Sequence, residues 1–126
     1  MKDTIEINGY DFDGVISIGI NPCCKNDVII TGRCYDEQEY VRNILDKRGI
    51  TNEVYFNPMS LAERGNHTVE CRRLSGKHKA KTIKELKEIG LVVSRFFEDD
   101  KIQYDIIKEN HESIEIVHVV SNLVKK

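Results

Sequence analysis

Tyr10-Asp11-Phe12-Asp13-Gly14-Val15-Ile16 is the stretch on which the reading of this chain turns. Ahead of the acids lies an extended run, Thr4-Ile5-Glu6-Ile7-Asn8-Gly9-Tyr10, and Gly14 breaks the chain behind them. If residues 4–10 form a strand, Asp11 and Asp13 leave its carboxyl end on the same side, because alternate side chains share a face. Open α/β sheets bind ligands at such ends. Two close carboxylates repel unless a cation or a shared proton relieves them, so the pair points to Mg²⁺ or to acid–base chemistry. An isolated D-x-D-G reads first as a pair of turn formers; the segments that follow shift the balance.

Residues 15–22 are too rich in Gly and Pro for a long helix, and residues 15–27 are too few for an inserted domain. The chain then returns in Asp27-Val28-Ile29-Ile30-Thr31, a β-branched run closed by Gly32, so Thr31 also stands where a strand turns into a loop. Residues 36–48 predict a helix capped by Asp36 with Glu39, its apolar face Tyr40, Val41, Ile44 and Leu45, and Gly49 its stop. Residues 52–56 predict a short strand ended by Asn57-Pro58. Between residues 59 and 75 the pattern is weakest: Arg64-Gly65-Asn66-His67 reads as a turn and residues 68–72 as a brief strand or extended loop.

A basic segment follows. Ala80, Ile83, Leu86 and Ile89 form the apolar stripe of a helix over about 77–89, whose start is crowded by Arg72, Arg73, Lys77, His78, Lys79 and Lys81. Most of these cations read as a solvated face, but a helix start joined by an ammonium group is also an anion site. Residues 91–97 predict a fourth strand that runs into Glu98-Asp99-Asp100. Three adjacent carboxylates beyond a buried strand are costly unless solvated or metal-bound. Asp100 with Gln103 caps a helix over 101–110, which accounts for Asp100 better than for its two neighbours. A last strand, residues 114–120, precedes a basic tail.

Alternating strands and helices over 126 residues predict one α/β domain, residues 1–126, with a mainly parallel five-stranded sheet. The chain is 40% hydrophobic and 32% charged with a net charge of −2, which excludes a general polyanion binder, and no apolar run is long enough to span a membrane. The first residues alternate polar and apolar, unlike a secretory signal, so a cytoplasmic protein is expected. A zinc site drawn from Cys23, Cys24, Cys34 and His67 is conceivable. Without C-x-x-C spacing, the four cysteines read instead as reduced and structurally incidental.

In this order the segments resemble the haloacid dehalogenase superfamily of Mg²⁺-dependent phosphoryl-transfer enzymes. Asp11-Phe12-Asp13-Gly14-Val15 matches its first motif and Val28-Ile29-Ile30-Thr31-Gly32-Arg33 its second. A lysine of the basic helix stands for the third, and Phe97-Glu98-Asp99-Asp100 for the fourth. Lys77, Lys79 and Lys81 all compete for the third; Lys79 is favoured because Ile83 and Leu86 follow it at four and seven residues. The metal pair is taken as Glu98-Asp99, with Asp99-Asp100 as the other register. The resemblance implies a three-layer Rossmann-like fold, and the short gaps between motifs imply a member without a cap domain. It implies that Asp11 is the nucleophile and Asp13 the general acid and base. Thr31, Gly32, Arg33 and Lys79 would hold the phosphoryl group, while Asp11, Asp13, Glu98 and Asp99 would hold Mg²⁺. The substrate would be a phosphorylated small molecule or the end of a macromolecule. A faint likeness to the 3′-phosphatase half of polynucleotide kinase–phosphatases makes nucleic acid a candidate partner, with Arg64, Arg72, Arg73 and the helix lysines on backbone phosphates. The competing expectations are a non-catalytic module of the same fold and a receiver-like phospho-acceptor domain.

Overall fold

In the computed structural model, residues 3–66 and 68–120 are described. Five strands, β1 (Ile5–Tyr10), β2 (Val28–Cys34), β3 (Val54–Asn57), β4 (Leu91–Glu98) and β5 (Glu115–His118), form one sheet in the order β3-β2-β1-β4-β5. Every pairing is parallel. The helices are α1 (Gln38–Lys47), α2 (Leu61–Arg64), α3 (Val69–Glu88) and α4 (Lys101–Asn110). The architecture is α/β and consistent with a Rossmann-like fold.

Alternation along the strands divides the core into two layers. Val28 and Ile30 face α3 and α4 together with Ile7, Val93, Phe96, Ile83, Leu86 and Ile107. Ile29 and Tyr10 turn the other way, onto Val41 and Leu45 of α1 and onto Phe12, Val15 and Ile16 of the turn after β1. A sheet buried on both faces needs the near-continuous apolar runs seen in β2 and β4. Gly9 lies in β1 because a Cβ there would sit 2.6 Å from the Phe96 ring. The chain between β1 and β2 carries only a short 3₁₀ turn, Ile16–Ile18, and the longer stretch up to α3 is used by α1, β3 and α2.

Several boundaries differ from the sequence reading. β2 does not stop at Gly32 but continues to Cys34, with an irregular register against β3 between Ile30 and Cys34. Thr31, Gly32 and Arg33 occupy that irregular stretch. Before α1, Tyr35–Glu37 forms a 3₁₀ turn boxed by Cys34 and Glu37; Asp36 instead accepts the Leu61 N–H at the start of α2. The largest change is α3. It begins at Val69, capped by the Thr68 hydroxyl, and takes in residues expected to be extended. Its buried face is Cys71, Ser75, Gly76, Lys79, Ala80, Thr82, Ile83 and Leu86. Those positions have helical spacing, but most of them are small or polar, so hydrophobic periodicity is faint before Ala80. His67 and the basic tail, residues 121–126, lie outside the described residues.

Candidate functional site

β1 is flanked by β2 on one side and β4 on the other, so the chain reverses its direction of progress across the sheet at β1. Crevices of open α/β sheets open at the carboxyl ends of strands at such a switch point. Asp11 follows β1 there, and its backbone N–H donates to Phe97 O at 3.0 Å. Tyr10 pairs with Phe97 in register, and their rings stack at 4.7 Å and 4°. The two residues next in sequence, Asp11 and Glu98, are thereby brought side by side.

Lys79 reaches between them from α3. Its Nζ lies 2.9 Å from Asp11 Oδ1 and 2.6 Å from Glu98 Oε1. All three are buried, with residue exposures of 1% for Lys79, 3% for Asp11 and 0% for Glu98. Ionisable groups are this buried almost only when paired. Burial disfavours the Lys79 ammonium, but Asp11 and Glu98 outweigh it and hold the group protonated beyond the ordinary lysine range. Burial, and then the Glu98 charge, push the Asp11 carboxyl well above its ordinary value, with Lys79 opposing. Backbone N–H groups add to these pairs: Asp11 Oδ1 accepts that of Phe12 at 2.8 Å, and Glu98 Oε2 accepts those of Asp99 and Asp100 at 3.1 and 3.2 Å.

Asp99 completes the cluster, since Asp11, Glu98 and Asp99 each offer a carboxylate oxygen within 4.8 Å of the others. Gly14 makes this approach possible. It has φ +81°, and a Cβ there would stand 1.9 Å from Asp99 Oδ2. The glycine of D-x-D-G therefore does two things: it turns the chain through the left-handed region and gives the distant Asp99 its place. Three carboxylates meet one ammonium in this cluster, so carboxylate is in excess among these four side chains. An oxygen-only donor set of that kind fits a hard divalent cation such as Mg²⁺.

The Asp13 carboxylate stands apart from this cluster. Arg33 grips it with Nε at 2.8 Å and Nη2 at 2.9 Å, while its Nη1 bonds Glu37 at 2.8 Å. Glu37 also pairs with Arg64 at 3.0 Å, and Arg64 donates to Gly32 O at 2.7 Å. The metal role that the resemblance implies for Asp13 falls to its backbone carbonyl, so the Arg33 grip on the carboxylate does not bear on it. Thr31 is wholly buried, its hydroxyl accepting the Arg33 N–H at 3.1 Å. Gly32 lies against Ser75 of α3, where a Cβ would come within 2.3 Å of the Ser75 Oγ.

Of the three competing lysines, Lys77 and Lys81 are exposed, Lys81 near Glu85, and Lys79 alone of these reaches Asp11. Lys79 is not at a helix start, however. It lies ten residues into α3, about 15 Å along the axis from its first residue, so the helix N-terminus adds nothing to it. Asp100 is taken up elsewhere: it caps α4, accepts Gln103 Nε2 at 3.0 Å and pairs with Arg72 at 2.5 Å. Burial acts against its ionised form, but the Arg72 and Gln103 hydrogen bonds win and hold its carboxyl below the ordinary range. The Asp99-Asp100 register is disfavoured on those grounds. Arg64 and Arg72, set aside in the sequence for nucleic-acid phosphates, are instead committed to Glu37 and Asp100.

The Arg33–Asp13 clamp and the Gly14–Asp99 contact went unseen in the sequence. Only the proximity of Asp13 and Gly14 to Asp11 hinted at either. No known family, curated protein or solved structure matches this chain. Among the described residues, no helix is long and apolar enough to cross a membrane.

Proposed function

We propose that this protein is a Mg²⁺-dependent phosphohydrolase of the haloacid dehalogenase type, without a cap domain, working through an aspartyl phosphate on Asp11. The observation that carries the reading is the meeting of Asp11, Lys79, Glu98 and Asp99, from three separate parts of the chain, at one strand-end crevice. Asp11, Asp99, the Asp13 carbonyl and Glu98, the last through water, are the groups that would hold Mg²⁺. When bound, the ion supplies positive charge against the phosphoryl oxygens.

The protein groups then divide the chemistry. An Asp11 carboxylate oxygen attacks phosphorus and the ester P–O bond breaks, its electron pair leaving with the alcohol oxygen. Asp13 gives that oxygen a proton. Water next attacks the aspartyl phosphate, Asp13 takes its proton, and Asp11 is released with inorganic phosphate. Lys79 holds Asp11 in place and offsets the charge that gathers as a phosphate dianion approaches. Arg33, at the rim beside Asp13, can turn from carboxylate to phosphate, which suits its forked guanidinium. The substrate class is a phosphomonoester on a small molecule or an exposed macromolecular end.

The Arg33 clamp favours a second reading, a phospho-acceptor that turns over slowly because the Asp13 carboxylate is occupied by Arg33 rather than free to take a proton from water. Strand order speaks against the receiver type of acceptor, which has the order 2-1-3-4-5. The deciding experiment is hydrolysis of p-nitrophenyl phosphate with Mg²⁺, joined to acid-quench trapping of phosphoenzyme. Multiple turnovers are expected, with loss on the order of 10³-fold or more in Asp11→Asn. Metal-dependent turnover surviving in Asp11→Asn would end the proposal; stable phosphoenzyme without turnover would select the acceptor.

A further inference from the structure

We propose that Cys23, Cys24 and Asp27 form a site for one thiophilic divalent ion of the zinc type, separate from the carboxylates at Asp11. Among the described residues, these three are the other group whose ligand atoms lie within 4.8 Å of one another. The two sulfurs are 3.4 Å apart, and Cys23 Sγ is 3.5 Å from Asp27 Oδ2. A tetrahedral zinc ion, with Zn–S of about 2.3 Å and Zn–O of about 2.0 Å, needs S···S near ~3.8 Å and S···O near ~3.5 Å. The spacing requires only a few tenths of an ångström of adjustment.

The carboxylate is built in. Asp27 is 2% exposed; its Oδ1 accepts the Asn8 N–H at 2.9 Å, and its Oδ2 lies 3.3 Å from both the Tyr10 hydroxyl and the Cys24 N–H. These donors fix the oxygen that faces the sulfurs, as outer partners orient metal ligands elsewhere. The loop itself is tied by the Asn52 amide, which donates to the carbonyls of Cys24 and Asp27, each at 2.9 Å. Both thiols are exposed, so an ion has an entry path and a fourth position open to water. Two soft sulfurs beside one carboxylate suit Zn²⁺ and exclude Mg²⁺, which takes oxygen donors. The ligand set differs from the one the sequence suggested: Cys34 is buried at the far end of β2, about 20 Å from Asp27 along the strand, and His67 lies outside the described residues.

The test is titration of the freshly reduced full chain, under anaerobic conditions, with Co²⁺ and then Zn²⁺ in competition with a chromophoric chelator. One equivalent of Co²⁺ is expected to give a thiolate charge-transfer band and tetrahedral visible bands, displaced by Zn²⁺. Cys23→Ser and Cys24→Ser, at exposed positions that serine tolerates, should abolish the charge-transfer band or weaken binding on the order of 100-fold. The double variant C34A/C71A and Asp99→Asn should keep it. A band that persists in C23S/C24S overturns the proposal. So does freshly reduced protein that takes up no thiolate-bound metal.

Discussion

Two ion-pair groups border the same crevice, and they are built on opposite plans. Asp11, Lys79, Glu98 and Asp99 are largely buried, fixed by backbone N–H groups and by the stacked Tyr10–Phe97 pair, with three carboxylates to one ammonium among them. Asp13, Arg33, Glu37 and Arg64 form a second group with two charges of each sign, and Asp13 and Arg33 are partly open to solvent, at 39% and 27% side-chain exposure. The first group is closed geometrically and rich in carboxylate oxygen, a combination that favours a cation. The second is balanced within itself and partly exposed at Arg33 and Asp13. On the proposed function, the buried centre would hold phosphorus and the charge-balanced rim would handle protons and substrate.

The contrast can be broken most directly at Lys79. Lys79→Met keeps the volume but leaves Asp11 and Glu98 buried without their cation, a loss of about 3–5 kcal/mol by urea unfolding. Adding Glu98→Gln should recover part of it. If Lys79→Met costs no more than a surface substitution, the buried group is not the rigid partner in the pair.

Acid separates the two groups from their surroundings. Burial pushes His78, next to Lys79 on α3, down to about 4 from 6.5. Between those pH values the unfolded chain binds a proton that the folded chain does not, so stability falls as pH drops through the window. The loss reaches up to about 3 kcal/mol by pH 4, and His78→Gln should remove most of it. Parallel acid-unfolding curves for the two proteins would assign the loss to the carboxylate groups instead.

Metal sharpens the comparison further. At about ten times its dissociation constant, Mg²⁺ should add about 1.4 kcal/mol, or roughly 5 °C in Tm. Asp99→Asn should lose that gain and Arg33→Met should keep it. Equal losses in both would merge the two groups into one. The smallest effect belongs to the rim: Arg33→Met should cost under about 1 kcal/mol of stability, since the pair is partly exposed. It should raise KM for p-nitrophenyl phosphate more than it lowers kcat. A fall confined to kcat would place Arg33 behind Asp13 rather than on substrate.

Much of the site lay open in the sequence because its members stand beside strand ends. Asp11, Glu98 and Asp99 each adjoin a run of β-branched and aromatic residues, and parallel pairing then leaves little choice but to set them together. Lys79 was approachable through its spacing to Ile83 and Leu86. The first ten residues of α3 were not, because their buried face is Cys71, Ser75, Gly76 and Lys79, chosen for closeness to Gly32 and Asp11 rather than for hydrophobicity. Arg33 and Arg64 carried no mark that would tell a substrate contact from an internal ion pair.

The amino-acid order alone determined the alternation of strands and helices, and with it a parallel sheet whose strand ends carry acids, since period and punctuation are local properties. Only the folded chain decided which charges meet. Asp13 turns to Arg33, Asp99 settles against Gly14, and Asp27 faces two thiols, because long-range partners are chosen by packing and electrostatics acting across the sheet.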